Sequence, residues 1–155
     1  MKTLALTSLL SMALALPALA ESHGLDLTAT GDAAAGEKAF RKCQSCHVVM
    51  DDAGEVLAGK KAKTGPNLYG VVGRAAGQVA DFRYGKDMIA AGEAGLVFDE
   101  AHFVAYVMDP KAAVQEATGD GSARSKMSFR VRKEDEARDL YTFLKEIGPD
   151  TAGGS

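Results

Sequence analysis

The chain has 155 residues, 46% of them hydrophobic and 25% charged, with a formal net charge of −3. The slight acidic excess argues against general nucleic-acid binding while allowing a local basic face. The length suits one small domain.

Residues 1–20 have the layout of a cleaved secretory leader. Lys2 is the positive n-region, and Leu4 to Leu16 is an apolar stretch softened by Thr7, Ser8 and Ser11. Pro17 breaks the stretch, and Ala18-Leu19-Ala20 forms an A-x-A cleavage site. The stretch is short and interrupted for a membrane span, which leaves an uncleaved anchor as the rival reading. Removing Lys2 leaves 17 of the 18 basic residues against 21 acidic ones, a net charge of −4. Residues 21–30 are small and polar and read as a flexible lead-in. The domain proper is expected over 31–148 and a flexible tail over 149–155.

Asp32 is a good N-cap for a first helix, with Ala35, Ala39 and Phe40 on one face. Gly36 and Phe40 share a side, so another helix can come close there. The helix should run into Cys43-Gln44-Ser45-Cys46-His47. A C-x-x-C-H run reads as an attachment site for a c-type haem. The spacing sets two thiols about one helical turn apart, so both can add to vinyl groups on one porphyrin. The adjacent His47 then reaches the iron. Two other readings stay open on the motif alone. A zinc site would need more ligands, and the chain has no further cysteine. A dithiol redox pair would call for a βαβ context, which the sequence lacks.

Val48 to Lys63 reads as loop, with turn chemistry at Asp51-Asp52-Ala53-Gly54 and at most a short extended piece at Val56-Leu57. The Gly- and Pro-rich run from Thr64 to Arg74 implies irregular backbone pressed against something, and a haem edge would serve. A modest helix is expected over Gly85 to Ala94, weakened by Gly92. Asp99 caps Glu100 to Met108, and Pro110 opens a helix to about Ala117. Thr118 to Lys126 is loop, with Met127 just beyond it. Glu134 to Ile147 is the strongest helix, stopped by Gly148-Pro149. The class is all-α, with about five short helices and long loops. A core of that size is thin, and a buried porphyrin would add apolar volume.

The other face of the iron needs a partner, and the side-chain candidates are Met50, Met88, Met108, Met127, His23 and His102. Met50 is too near His47 in sequence to cross the ring, and His23 falls in the lead-in. Met88, Met108 and His102 sit on expected helices. Met127 lies in a loop far enough along for the chain to wrap the ring, although methionine is more often core filler.

Gly31-Asp32, Gly36, Phe40, the Cys43–His47 motif, the block Lys63-Thr64-Gly65-Pro66-Asn67-Leu68-Tyr69-Gly70-Val71-Val72-Gly73-Arg74, and Lys126-Met127-Ser128-Phe129 occur here in order. In this the chain resembles the class I c-type cytochromes, most closely the longer bacterial cytochromes c2, over Gly31 to Ile147. The resemblance implies one haem c held covalently by Cys43 and Cys46, with His47 and Met127 as axial ligands. It implies that the Pro66 carbonyl orients His47 and that Arg74 and Tyr84 lie near the propionates. It places Tyr106 near the methionine sulfur, and Phe143 and Leu144 opposite Gly36 and Phe40. One departure stands out. Many relatives carry a tryptophan donor to a propionate where this chain has Phe98, and the chain has no Trp.

The function so implied is a monomeric periplasmic one-electron carrier, not an enzyme. It would run between a bc1-type complex and a photosynthetic reaction centre or terminal oxidase. A five-coordinate haem protein binding a gas or peroxide is the alternative if Met127 is only core, and a haem-free thiol oxidoreductase is a third. For docking on an acidic partner the expected residues are Lys60, Lys61, Lys63, Lys111, Arg124 and Lys126, with Arg130, Arg132 and Lys133 near them.

Overall fold

The computed structural model describes residues 25–149. The expected leader, most of the lead-in before Leu25, and the tail from Asp150 lie outside those residues.

Among the described residues five helices run in chain order: α1 (Ala33–Phe40), α2 (Lys86–Glu93), α3 (Glu100–Met108), α4 (Pro110–Thr118) and α5 (Glu134–Glu146). Local chemistry sets several boundaries. Asp32, Asp99 and Asp109 each accept a backbone N–H in the first turn of α1, α3 and α4. Pro110 occupies the first position of α4, where its missing N–H is not needed. Gly119 ends α4 at φ 66°, a conformation that favours glycine.

The segment expected as plain loop after the haem motif contains a small antiparallel hairpin, β1 (Val48–Met50) and β2 (Val56–Gly59). Val49 is fully buried at its centre. The fold remains mostly helical, with long connections before α2 and between α4 and α5.

The first and last helices cross at glycine. A Cβ on Gly36 would stand 2.0 Å from the carbonyl oxygen of Asp139 and 2.7 Å from Cβ of Phe143. Phe40 and Phe143 pack beside that crossing with ring centroids 5.7 Å apart. Gly31 N–H donates to Thr142 Oγ1 at 3.0 Å, and Asp32 N–H to Asp139 Oδ1 at 2.7 Å. Gly92, which weakens α2 as a helix, is explained in the same way: its Cβ would meet the Ala76 carbonyl oxygen at 2.0 Å.

Leu25–Thr30, read from composition as frayed, lies against the body. Leu27 packs on the core beside Gly73, and its carbonyl accepts Lys145 Nζ at 2.7 Å. Thr30 donates through N–H and Oγ1 to Glu100, which Arg138 also grips. One leucine and one carboxylate thus make the contacts of a segment whose polarity suggested none.

Candidate haem site

The chain turns through residues 41–46 after α1, which brings Cys43, Cys46 and His47 to one cavity of about 350 Å³. Its walls include Leu68, Val71, Phe98, Phe103, Val107, Leu140 and Leu144. Pro66, Arg74, Tyr84, Tyr106, Lys126 and Met127 line the same cavity. Residues spread over more than eighty positions therefore converge on one apolar space.

His47 is held from two sides. Its Nδ1 lies 2.9 Å from the Pro66 carbonyl oxygen. A carbonyl can only accept, so Nδ1 carries the proton and the lone pair falls on Nε2. Gly65 packs on the ring, with room for no side chain: a Cβ there would stand 2.4 Å from Cε1. Gly65 N–H in turn donates to the Cys46 carbonyl at 2.7 Å, which fastens this loop to the motif. Burial holds the imidazole below the usual histidine range, against a smaller opposing effect of the Pro66 bond. The neutral, ligating form is favoured.

Cys43 is half-buried in the cavity wall, and burial pushes its thiol up to about 11. A redox dithiol needs the opposite shift, because the thiolate is the reactive species. Among the described residues no group of three or more His, Cys, Asp or Glu is placed to hold a metal ion. The zinc and dithiol readings therefore lose ground to thioether attachment.

Arg74 is half-buried, and its guanidinium donates to the carbonyls of Tyr69 at 2.8 Å and Asn67 at 3.2 Å. Its backbone pairs with the residue at the departure noted above: Phe98 N–H donates to the Arg74 carbonyl at 3.1 Å. Phe98 is buried, and its ring meets Tyr106 edge-on at 5.5 Å. The Phe98 ring carries no hydrogen-bond donor, so a polar edge of the cofactor must find one elsewhere. Burial raises the pKa of Tyr84 and of Tyr106, keeping both phenols neutral.

One contributor had no sequence signal. Ser125 Oγ accepts Met127 N–H at 3.1 Å and lies 3.2 Å from the Tyr106 hydroxyl. Met88, named above among the candidates for the other face of the iron, also lines the cavity, from the buried face of α2. Asn67 does have a signal, its place in a Gly-Pro-Asn turn. Its side chain exchanges two bonds with the Met50 backbone, at 3.0 and 2.6 Å. Met50, Met108 and His102 do not line the cavity, and His23 lies outside the described residues.

No family model matches the chain. Individual relatives do. Cytochrome c2 of Rhodovulum adriaticum is 58% identical over 119 residues, covering 77% of this chain and 94% of that one. Cytochrome c2 of Cereibacter sphaeroides is 52% identical over 134 residues, covering 86% and 87%. The chain belongs to the cytochrome c2 family. The crystal structure of cytochrome c2 from Rhodobacter sphaeroides superposes with a TM-score of 0.75 at 52% identity, covering 77% of this chain and 98% of that one. Ferric cytochrome c-550 from Paracoccus versutus gives 0.72 at 43% identity, with 77% and 100% covered.

As a cytochrome c2, the chain is an electron-transfer protein rather than an enzyme, and its cofactor is one covalently bound haem c. The donor set fits that group. Two thiols stand at C-x-x-C spacing, an imidazole keeps its Nε2 lone pair, and the walls are apolar. The class I fold expected from the sequence agrees with these neighbours.

Of the six residues expected to dock a partner, Lys126 alone lines the cavity. Its Nζ donates to the Arg83 carbonyl at 2.8 Å. Lys60, Lys61, Lys63, Lys111 and Arg124 are exposed and form no ion pair among the described residues. Arg130 pairs with Asp109 at 3.0 Å. Lys42, absent from the expected set, lines the cavity and pairs with Glu136 at 2.8 Å.

Proposed function

We propose that this cytochrome is a periplasmic one-electron carrier whose haem iron is held by His47 and Met127. Its work would be to take electrons from a bc1-type complex and deliver them to a reaction centre or terminal oxidase. The observation that carries the reading is the shared cavity: Met127 and His47 both line it, the other cavity methionine, Met88, is held within α2, and the Pro66 bond leaves His47 Nε2 for metal. An imidazole and a thioether together leave no open position for substrate and favour the reduced state of the iron, which suits a carrier.

Cys43 and Cys46 would anchor the porphyrin, and Pro66 would fix the imidazole plane as an outer partner does. Arg74, with Tyr84 and Tyr106 on the same cavity, supports a role at the polar edge of the group. The leader expected over residues 1–20 and the chemistry of haem attachment favour export to the periplasm. No helix among the described residues is long and apolar enough to cross a membrane.

The test is Met127→Ala in the holoprotein. The expected result is loss of the weak near-infrared sulfur-to-iron band and a fall in reduction potential. If the band and the potential both survive, another residue holds the iron. A high-spin ferric spectrum in the parent protein would instead favour a gas- or peroxide-binding site.

A further inference from the structure

The loop carrying Met127 lies between two buried residues, Ala123 and Val131. Between them only Ser125 and Met127 are shielded, and the other five positions are exposed. Lys126, Ser128 and Phe129 line the same cavity as Met127, and polar bonds to another segment tie this stretch to the rest of the fold. Two such bonds flank Ser125. Arg124 N–H donates to Oδ2 of Asp87 at 2.9 Å, across 37 positions of sequence. Lys126 Nζ reaches the Arg83 carbonyl across 43 positions.

Asp87 is suited to be the stronger of these ties. Its side chain is 16% exposed, against 90% for Lys86, whose Nζ lies 2.6 Å from Oδ1. A carboxylate accepting a backbone N–H makes a charge-assisted bond. The neighbouring Tyr84 and Gly85 line the cavity, so the tie joins one wall to the loop that bears the sulfur.

We infer that Asp87 is a positioning residue, whose carboxylate holds the Met127 loop closed against the Tyr84–Gly85 segment. The inference rests on the reading of Met127 as the iron's distal ligand. Loop opening is a local event with its own equilibrium. An external ligand that must displace the sulfur binds in proportion to the open fraction.

Imidazole binding to the ferric holoprotein reads that fraction. Asp87→Ala should bind imidazole about fivefold more tightly than the parent, the effect of one lost hydrogen bond. Asp87→Asn keeps an acceptor oxygen for Arg124 N–H and should stay within about twofold of the parent. Unchanged affinity in Asp87→Ala, with or without a lower unfolding midpoint, overturns the inference. So does an equal gain in both variants, which would trace the effect to lost negative charge in the first turn of α2. If the parent already binds imidazole as tightly as Met127→Ala, the ligand reading itself has failed.

Discussion

The Nδ1–H of His47 donates to the carbonyl oxygen of Pro66 across 2.9 Å, and Gly65 packs against the same ring. The two contacts do different work. The carbonyl selects the tautomer, and the glycine backbone limits how far the ring can tilt.

Gly65→Ala tests the second contact. Its Cβ would stand 2.4 Å from Cε1, 2.6 Å from Nδ1 and 2.8 Å from Nε2 of His47. Either the ring or the loop must move, and the Pro66 bond stretches in both cases. Overpacking of this kind destabilises by roughly 1–3 kcal/mol. The expected outcome is a lower urea midpoint for the holoprotein together with a shifted reduction potential. Parent values for both would mean that the glycine is not needed for ring placement.

What the sequence made legible follows from how local each signal is. The bounds of α3 were readable because Asp99 caps one end and Asp109-Pro110 ends the other, all within the segment. The C-x-x-C-H motif and the Gly65-Pro66 turn were readable for the same reason. The β1–β2 hairpin was not, since each strand is only three or four residues long and gains its stability from Val49 in the core. The docking of Leu27 was hidden too, because its partners Gly73 and Lys145 are far along the chain. Ser125 and Asp87 are ordinary surface residue types, and only the tertiary structure sets them beside Met127 and Arg124.

Tyr141 carries a pH-dependent prediction. It is fully buried with its ring centroid 5.6 Å from that of Phe103, and its hydroxyl has no hydrogen-bond partner among the described residues. Burial, with Asp99, Glu100 and Asp26 adding to it, pushes its pKa from 10.0 up to about 12. The unfolded chain therefore releases this proton first. The contribution is intact below pH 10 and is lost as pH rises towards about 12. Tyr141→Phe removes the orphan hydroxyl, which should add roughly 1 kcal/mol at neutral pH. It should also flatten the alkaline fall in stability, and urea midpoints at both ends of the range check this. A less stable Phe variant at neutral pH would mean that the hydroxyl has a partner, such as a bound water.

The last prediction concerns encounter with a partner. Lys60, Lys61 and Lys63 are exposed just before Thr64 and Gly65, which line the cavity. Arg124 is exposed on the Met127 loop. One-signed charge near an exposed cofactor edge steers an acidic partner and speeds association more than it tightens binding. The association rate should fall steeply with added salt, since screening shortens the field to about 10 Å at 0.1 M. Charge reversal at Lys63 should slow association more than reversal at Lys145, which sits on α5 and bonds the Leu27 carbonyl. Lys126 is the less clean probe. Its ammonium also ties the Met127 loop to Arg83, so reversal there would mix a docking effect with loop opening. Stopped-flow rates with an acidic redox partner, taken over a range of salt, separate the cases. A rate indifferent to salt, or equal slowing at Lys63 and Lys145, would place docking on another face.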